Sequence, residues 1–266
     1  MKSIWRIDHS LNGQGEVRII RSPYNNRAEH RVRYRGMRQT LLLLAMVWLT
    51  GCQKNNVLLH ENFANLDRWH LEGLKEGASV TPAGELRLDC KSKMGQHGVM
   101  AFCKRDFPDN IAIDYDFLVE RHNGLFITFV AMTGLNGEDA ITEVPPRSGV
   151  FEDYYNGTRS YHVSICRYED DGKHTGVSNW RRNPGLHLMV SGKDWCTEAG
   201  RLYHVRITKR GPACKVEVDG KLGANFVDPQ TLPGPIPAGG KFGFRAIGAN
   251  AVFRVSNLRV TALEPE

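Results

Sequence analysis

The chain has 266 residues, 41 % of them hydrophobic and 24 % charged, with 35 Lys and Arg against 29 Asp and Glu and a formal net charge of +6. That excess lies in residues 1–51, which hold nine basic and three acidic residues, so residues 52–266 are formally neutral. The basic isoelectric point therefore gives no support to nucleic acid or another polyanion as a partner of the mature chain.

Residues 1–36 show neither apolar periodicity nor a strand bounded by Gly or Pro, and read as an extension ahead of a true start at Met37. Met37 and Arg38 lead into an apolar run, Leu41 to Leu49, that ends in Leu49-Thr50-Gly51-Cys52. A short positive region, a short apolar region and a small-residue cleavage site ending in Cys describe a bacterial lipoprotein signal over 37–51. The run falls far short of the ~20 residues a spanning helix needs. Cys52 is the expected lipidation site, and Gln53 after it favours the outer membrane.

Residues 52–266 read as one domain of strands and turns. Val57–Phe63 opens it, and Glu85–Asp89 alternates after Pro82-Ala83-Gly84. Val99–Lys104 follows. In Ile111–Glu120 the apolar Ile111, Ile113, Tyr115, Phe117 and Val119 share one face, with Asp114, Asp116 and Glu120 on the other. Leu125–Ala131 is apolar on both faces and reads as a central strand covered from both sides. Gly134–Ser148 is a long loop. Tyr161–Cys166 alternates, with His162, Ser164 and Cys166 on its more polar face, and Leu186, Leu188 and Val190 share a face. Leu202–Lys209 and Ala213–Val218 pair, Asp219-Gly220 turns the chain, and Ala251–Leu263 closes the domain.

No segment keeps a helical period beyond a turn or two, so the fold class is all-β, a β-sandwich whose terminal strands pair. Five cysteines (Cys90, Cys103, Cys166, Cys196, Cys214) form no CxxC pair, and inside apolar strands they read as small buried hydrophobes.

His97-Gly98, Phe107-Pro108-Asp109, Arg147-Ser148-Gly149-Val150-Phe151, Tyr161-His162-Val163-Ser164, Arg181-Arg182-Asn183-Pro184-Gly185, Gly243-Phe244-Arg245 and Asn257-Leu258-Arg259-Val260 together resemble the YesU-like domain-of-unknown-function family. The resemblance covers roughly residues 56–263. It implies a concanavalin A-like jelly-roll β-sandwich and a setting in bacterial breakdown of pectin and other plant polysaccharides. In such a fold the concave face of one sheet is the usual glycan cleft.

Three constellations could line that cleft. Asp114, Asp116 and Glu120 lie two and four residues apart on one strand face, about 6–7 Å per step, within the range of carboxylate pairs in glycoside hydrolysis. The same pattern describes a solvated sheet face. His162 with Ser164, joined by His97 and by Arg181 or Arg182, supplies the base and the cation that a polysaccharide lyase uses beside a uronate. Trp180, Tyr154, Tyr155 and Tyr168 could stack on sugar rings, whereas Tyr161, Trp69 and Trp195 read as packing.

The candidate catalytic residues are therefore His162, Arg181, His97 and Asp116. Arg147, Tyr155, Ser164, Asn179, Trp180, Arg182, Asn183, Asp114 and Glu120 are the candidate substrate contacts. No cofactor and no catalytic metal is indicated; a structural calcium would draw on Asp139, Asp170 or Asp171. The expected protein is a cell-envelope lipoprotein held to the membrane by its lipid. It acts on a plant or other acidic polysaccharide or oligosaccharide as glycoside hydrolase or polysaccharide lyase. The alternative is a non-catalytic carbohydrate-binding lipoprotein of a glycan-utilisation system.

Overall fold

A computed structural model describes residues 56–93 and 96–264. The upstream extension, the signal at 37–51 and Cys52 lie outside the described residues. Thirteen strands run in order: β1 (Val57–Glu61), β2 (Trp69–Gly73), β3 (Ala78–Val80), β4 (Leu86–Ser92), β5 (Val99–Cys103), β6 (Ile111–Thr133), β7 (Arg159–Ile165), β8 (Val177–Asn183), β9 (His187–Lys193), β10 (Leu202–Arg210), β11 (Ala213–Val218), β12 (Lys221–Val227) and β13 (Lys241–Ala262). One helix, α1 (Phe151–Gly157), sits between β6 and β7.

The alternation in Ile111–Glu120 and the two-sided apolar run after it belong to a single strand of 23 residues. Its first half pairs with β10 and with the second half of β13, and its second half pairs with β7 and with the first half of β13. Two antiparallel layers result. The first is β12-β11-β10-β6-β13-β4-β3, with β1 beside β4 along β13; the second is β9-β8-β7-β6-β13-β5-β2. The layers face each other. Tyr115 Oη lies 3.0 Å from Thr128 Oγ1, thirteen residues along the same strand, although straight strand would hold them roughly 40 Å apart. The inward side chains merge into one core in which the Phe117 and Phe126 rings, one from each half of β6, stand 4.7 Å apart.

Both long strands turn at facing glycines. Gly124 (φ +151°) and Gly248 (φ +145°) adopt backbone that other residues rarely do. A Cβ on Gly124 would lie 2.1 Å from the Ile247 carbonyl oxygen, and one on Gly248 2.1 Å from that of Asn123.

The outer face of the second layer carries a second apolar cluster. Phe102 and Phe129 pack under Tyr154 of α1 with ring centroids 5.9 Å apart in each case, so the Leu125–Ala131 stretch is covered from both sides as its sequence predicts. The β1–β13 pairing joins the terminal strands, also as predicted. Leu186, Leu188 and Val190 do not share a face: a bulge opposite Trp180 and Arg181 shifts the register of β9, and Leu188 is left 52 % exposed. The five cysteines are buried and unpaired, and the Cys166 side chain lies inside the core rather than on the polar face of β7.

Gly124→Ala and Gly248→Ala are expected to lower the melting temperature by roughly 5–15 °C, the size expected for a few kcal/mol of backbone clash and strain. Calorimetry beside Gly137→Ala checks this, because Gly137 also has a positive φ but open space around it.

Candidate functional site

The carboxylates of β6 point outward as the alternation predicts, but on the first layer, where each is already bound. Asp114 accepts from Arg206 Nη1 at 2.7 and 2.9 Å. Asp116 accepts from Asn257 Nδ2 at 2.6 Å and lies 3.0 Å from His204 Nδ1. Glu120 is bound by Arg87 at 3.1 Å and by Arg254. Burial alone would raise the Glu120 pKa, but hydrogen bonds from Arg87 and Arg254 outweigh it and hold the group below the usual carboxylate range. That is the wrong direction for a general acid. Asp116, Asp114 and Glu120 are thus a solvated, charge-matched face, on the opposite layer from His162 and Arg181.

On the second layer the register lines up outward side chains in rows across the strands. One row runs Arg245, Ile127, Ser164, Asn179, Ser191; its neighbour runs Gly243, Phe129, His162, Arg181, Leu188. α1 covers part of these rows. His162 is 2 % exposed, between the rings of Phe129 (5.2 Å) and Phe151 (5.4 Å). Its Nδ1 is 3.0 Å from Asn183 Nδ2, which donates to it, so the imidazole is neutral with its proton on Nε2. Burial first, then the nearby charges of Arg181 and Arg245, push its pKa down to about 3. His162 is thus a packed, neutral imidazole without open access to solvent. Asn183 is fully buried and also donates to Ser160 Oγ (2.9 Å), so it orders this layer instead of meeting a ligand.

Arg147 is occupied as well. Its Nε and Nη2 donate to the two oxygens of Glu72 at 3.0 and 2.6 Å, and Tyr154 Oη donates to the same carboxylate at 2.6 Å. This ion pair, with side chains 6 % and 4 % exposed, replaces the substrate contact expected of Arg147. Arg245 lies under α1, 4.8 Å from the Phe151 ring, and donates to the carbonyls of Gln96 (3.1 Å) and Gly149 (3.3 Å). Burial lowers its pKa to about 10. His97 is exposed at the rim of this region, 3.0 Å through Nδ1 from the Ser148 carbonyl.

Two expected contacts face the wrong way. β8 turns Trp180 and Arg182 inward: Trp180 is fully buried against Phe226, and Arg182 binds Asp228 (3.0 Å) and the carbonyls of Pro233, Gly234 and Pro235. Tyr154 and Tyr168 are buried, and Tyr155 packs edge-on against Phe151 (5.5 Å).

Beyond α1 the rows open towards β9. Ser164 and Asn179 are each 7 % exposed, Arg181 is half-buried, and Ser191 and Leu188 are exposed. Arg181 Nη1 donates to the Leu186 carbonyl at 2.8 Å. With the Asn179 amide in the orientation that satisfies both its ends, its oxygen accepts from Arg167 Nη1 (2.7 Å) and its nitrogen donates to Ser191 Oγ (2.7 Å). Ser164, Arg167, Asn179, Arg181 and Ser191 are therefore one polar surface. Among the described residues no group of three or more His, Cys, Asp or Glu is placed to hold a metal ion. Asp139 is bound by Lys241, and Asp171 accepts the Lys173 amide of its own turn.

Residues 55–260 match the family described as domain of unknown function DUF1961. The chain belongs to that family. An uncharacterized protein, YesU of Bacillus subtilis (strain 168), is 28 % identical over 161 residues, 58 % of this chain and 73 % of that protein. A Bacillus subtilis protein of unknown function with a galectin-like fold aligns with a TM-score of 0.69 and 23 % identity, over 79 % of this chain and 97 % of that one. A Bacillus licheniformis β-glucanase aligns at 0.51 and 12 %, over 80 % and 100 %. The fold is thus the concanavalin A-like jelly roll that the sequence implies.

In this DUF1961 domain three separated words of the sequence, those of Gly98, Gly149 and Arg245, meet at one junction. Gly98 N donates to the Gly149 carbonyl (2.9 Å), and a Cβ on Gly73 would lie 2.1 Å from the Gly98 oxygen. The contacts of Arg147, Arg245 and Phe151 cluster around it. Sequence reasoning left out Glu72, Arg167 and Arg245. Arg245 stood in a family word but reads there as a strand residue, and nothing local marks the other two.

The depressed pKa of His162 has a linkage consequence. The unfolded chain binds this proton below about pH 6.5, whereas the folded chain does so only near pH 3, so stability is present above 6.5 and is lost as pH falls towards 3. His162→Gln should therefore lose less stability than wild type between pH 7 and about pH 4.5, by up to about 1.4 kcal/mol per unit. Urea denaturation at both pH values reads the difference.

Proposed function

We propose that this protein is a lipid-anchored saccharide-binding domain of the cell envelope, with its site on the open part of the second layer's outer face. The observation that carries the reading is the polar row that opens at exposed Ser191 beside half-buried Arg181, with Ser164 and Asn179 buried just behind it. Hydroxyl, amide and guanidinium groups stand there in fixed register, next to the exposed apolar surface of Leu188. Saccharides present ring hydroxyls and C–H faces, and such a surface answers both. The jelly-roll fold is compatible with the reading, since it also serves the β-glucanase above.

Binding is favoured over catalysis by where the titratable groups lie. His162 is sealed under Phe151 and keeps its neutral form, and Asp116 faces solvent from the other layer. An acid and a base close to one sugar are required for either hydrolase or lyase chemistry, and these two do not share a face.

Calorimetric titration of the mature protein with neutral and uronate-containing tetrasaccharides should yield binding without new reducing ends and without the ultraviolet absorbance of an unsaturated uronate. Asn179→Ala should weaken that binding about tenfold, the worth of one to two hydrogen bonds, while Asp116→Asn leaves it unchanged. Turnover in either assay would replace the binding reading with an enzymatic one and turn attention to His97, whose Nε2 is free of the Ser148 carbonyl contact.

The lipid anchor has its own check. Expression from Met37 in a Gram-negative host should give a palmitate-labelled protein in the membrane fraction, and Cys52→Ser should abolish both label and membrane recovery.

A further inference from the structure

The two outer faces treat arginine in opposite ways. On the first layer Arg87, Arg206 and Arg254 each bind a carboxylate within hydrogen-bond distance, and Arg121 reaches Asp89 at 3.1 Å. On the second layer Arg167, Arg181 and Arg245 have no ion-pair partner among the described residues. Burial lowers the pKa of both Arg167 and Arg181; the charge of Arg181 lowers that of Arg167 further, while Asp194 and Glu169 act the other way. Arg167 Nε is buried without a hydrogen-bond partner.

The nearby acids favour the Arg167 charge but form no ion pair with it. Asp194 is 1 % exposed and its oxygens are taken by the amides of Cys166, Arg167 and Cys196 and by His174 Nε2, at 2.7–3.1 Å. Glu169 is exposed and makes no ion pair with Arg167. Two half-buried guanidiniums share this outer face, Arg167 braced by Asn179, which lies two residues before Arg181 on β8, and Arg181 braced by the Leu186 carbonyl; together they form a seat for an anion.

We infer that the saccharide is anionic and that Arg167 and Arg181 together hold its charged group, a uronate carboxylate or a sulfate ester, with Asn179 positioning Arg167. This rests on the saccharide-binding reading and deepens it. Arg245, fixed beneath α1, adds positive potential from below without touching the ligand.

The test is calorimetric titration of the mature protein with tetragalacturonate, with the same tetrasaccharide after reduction of its carboxyl groups, and with a sulfated neutral tetrasaccharide. One or both charged probes should bind at least tenfold more tightly than the reduced one, and their affinity should fall with added salt, which needs no variant. Arg181→Gln and Arg167→Gln, each with its melting temperature recorded, should shrink the gap between charged and reduced probes to less than about threefold. The preference between the two charged probes tells carboxylate from sulfate. Equal affinity for reduced and charged probes overturns the anionic assignment and leaves the saccharide reading standing. Failure of all three to bind removes the saccharide reading, and the anionic assignment with it.

Discussion

Everything in this fold depends on two neighbouring strands, β6 and β13, that belong to both layers at once. They pair along nearly their whole length, from Lys241 opposite Met132 to Ala262 opposite Ile111, and bend together at Gly124 and Gly248. Because the bend is shared, one hydrogen-bonded ladder sets the position of both sheets. The side-chain period of two then decides, from that ladder outward, which residues fill the core and which face solvent. A slip of one residue in β13 would exchange Arg245 and Phe244 between face and core.

The charges that survive on the surface follow from this arrangement. On the first layer the ion pairs are partly solvated and each contributes at most about 1 kcal/mol, so their value is in matching charge across a broad, flat face. Under α1 the balance differs. Glu72 is held by Arg147 and Tyr154 in near-complete burial, and removing one partner there would strand a charge at a cost of about 3–5 kcal/mol. That junction ties β2, the segment before α1 and α1 itself to the sheet. It also covers half of what would be an open sheet face, confining accessible polar groups to the β7–β9 side.

Much of the fold was legible in the sequence, and the reasons are local. The alternation of Ile111–Val119, the Asp219-Gly220 turn and the strand-like ends report burial and backbone preference within a few residues. The site was less so. Ser164, Asn179 and Arg181 fall on the outward face because β7 and β8 carry them in that phase. Trp180 and Arg182 were placed wrongly because β8 has charged and aromatic residues in both phases; only the core partners Phe226 and Asp228, far along the chain, fix which phase points inward. His162 has the residue type and phase of a base, but the ring that seals it belongs to α1, a two-turn helix without a side-chain N-cap that leaves little trace in sequence. Arg167 lies just past the end of β7, where alternation no longer speaks.

The pairing of the first and last strands has a consequence for how the domain can be handled. The Ala262 amide donates to the Asn56 carbonyl at 2.7 Å, so the chain enters and leaves the sandwich at one spot. The domain is topologically a cassette: a short linker could join its ends, new termini could be opened in the exposed Glu143–Pro146 stretch, and the ladder of β6 and β13 would remain uncut.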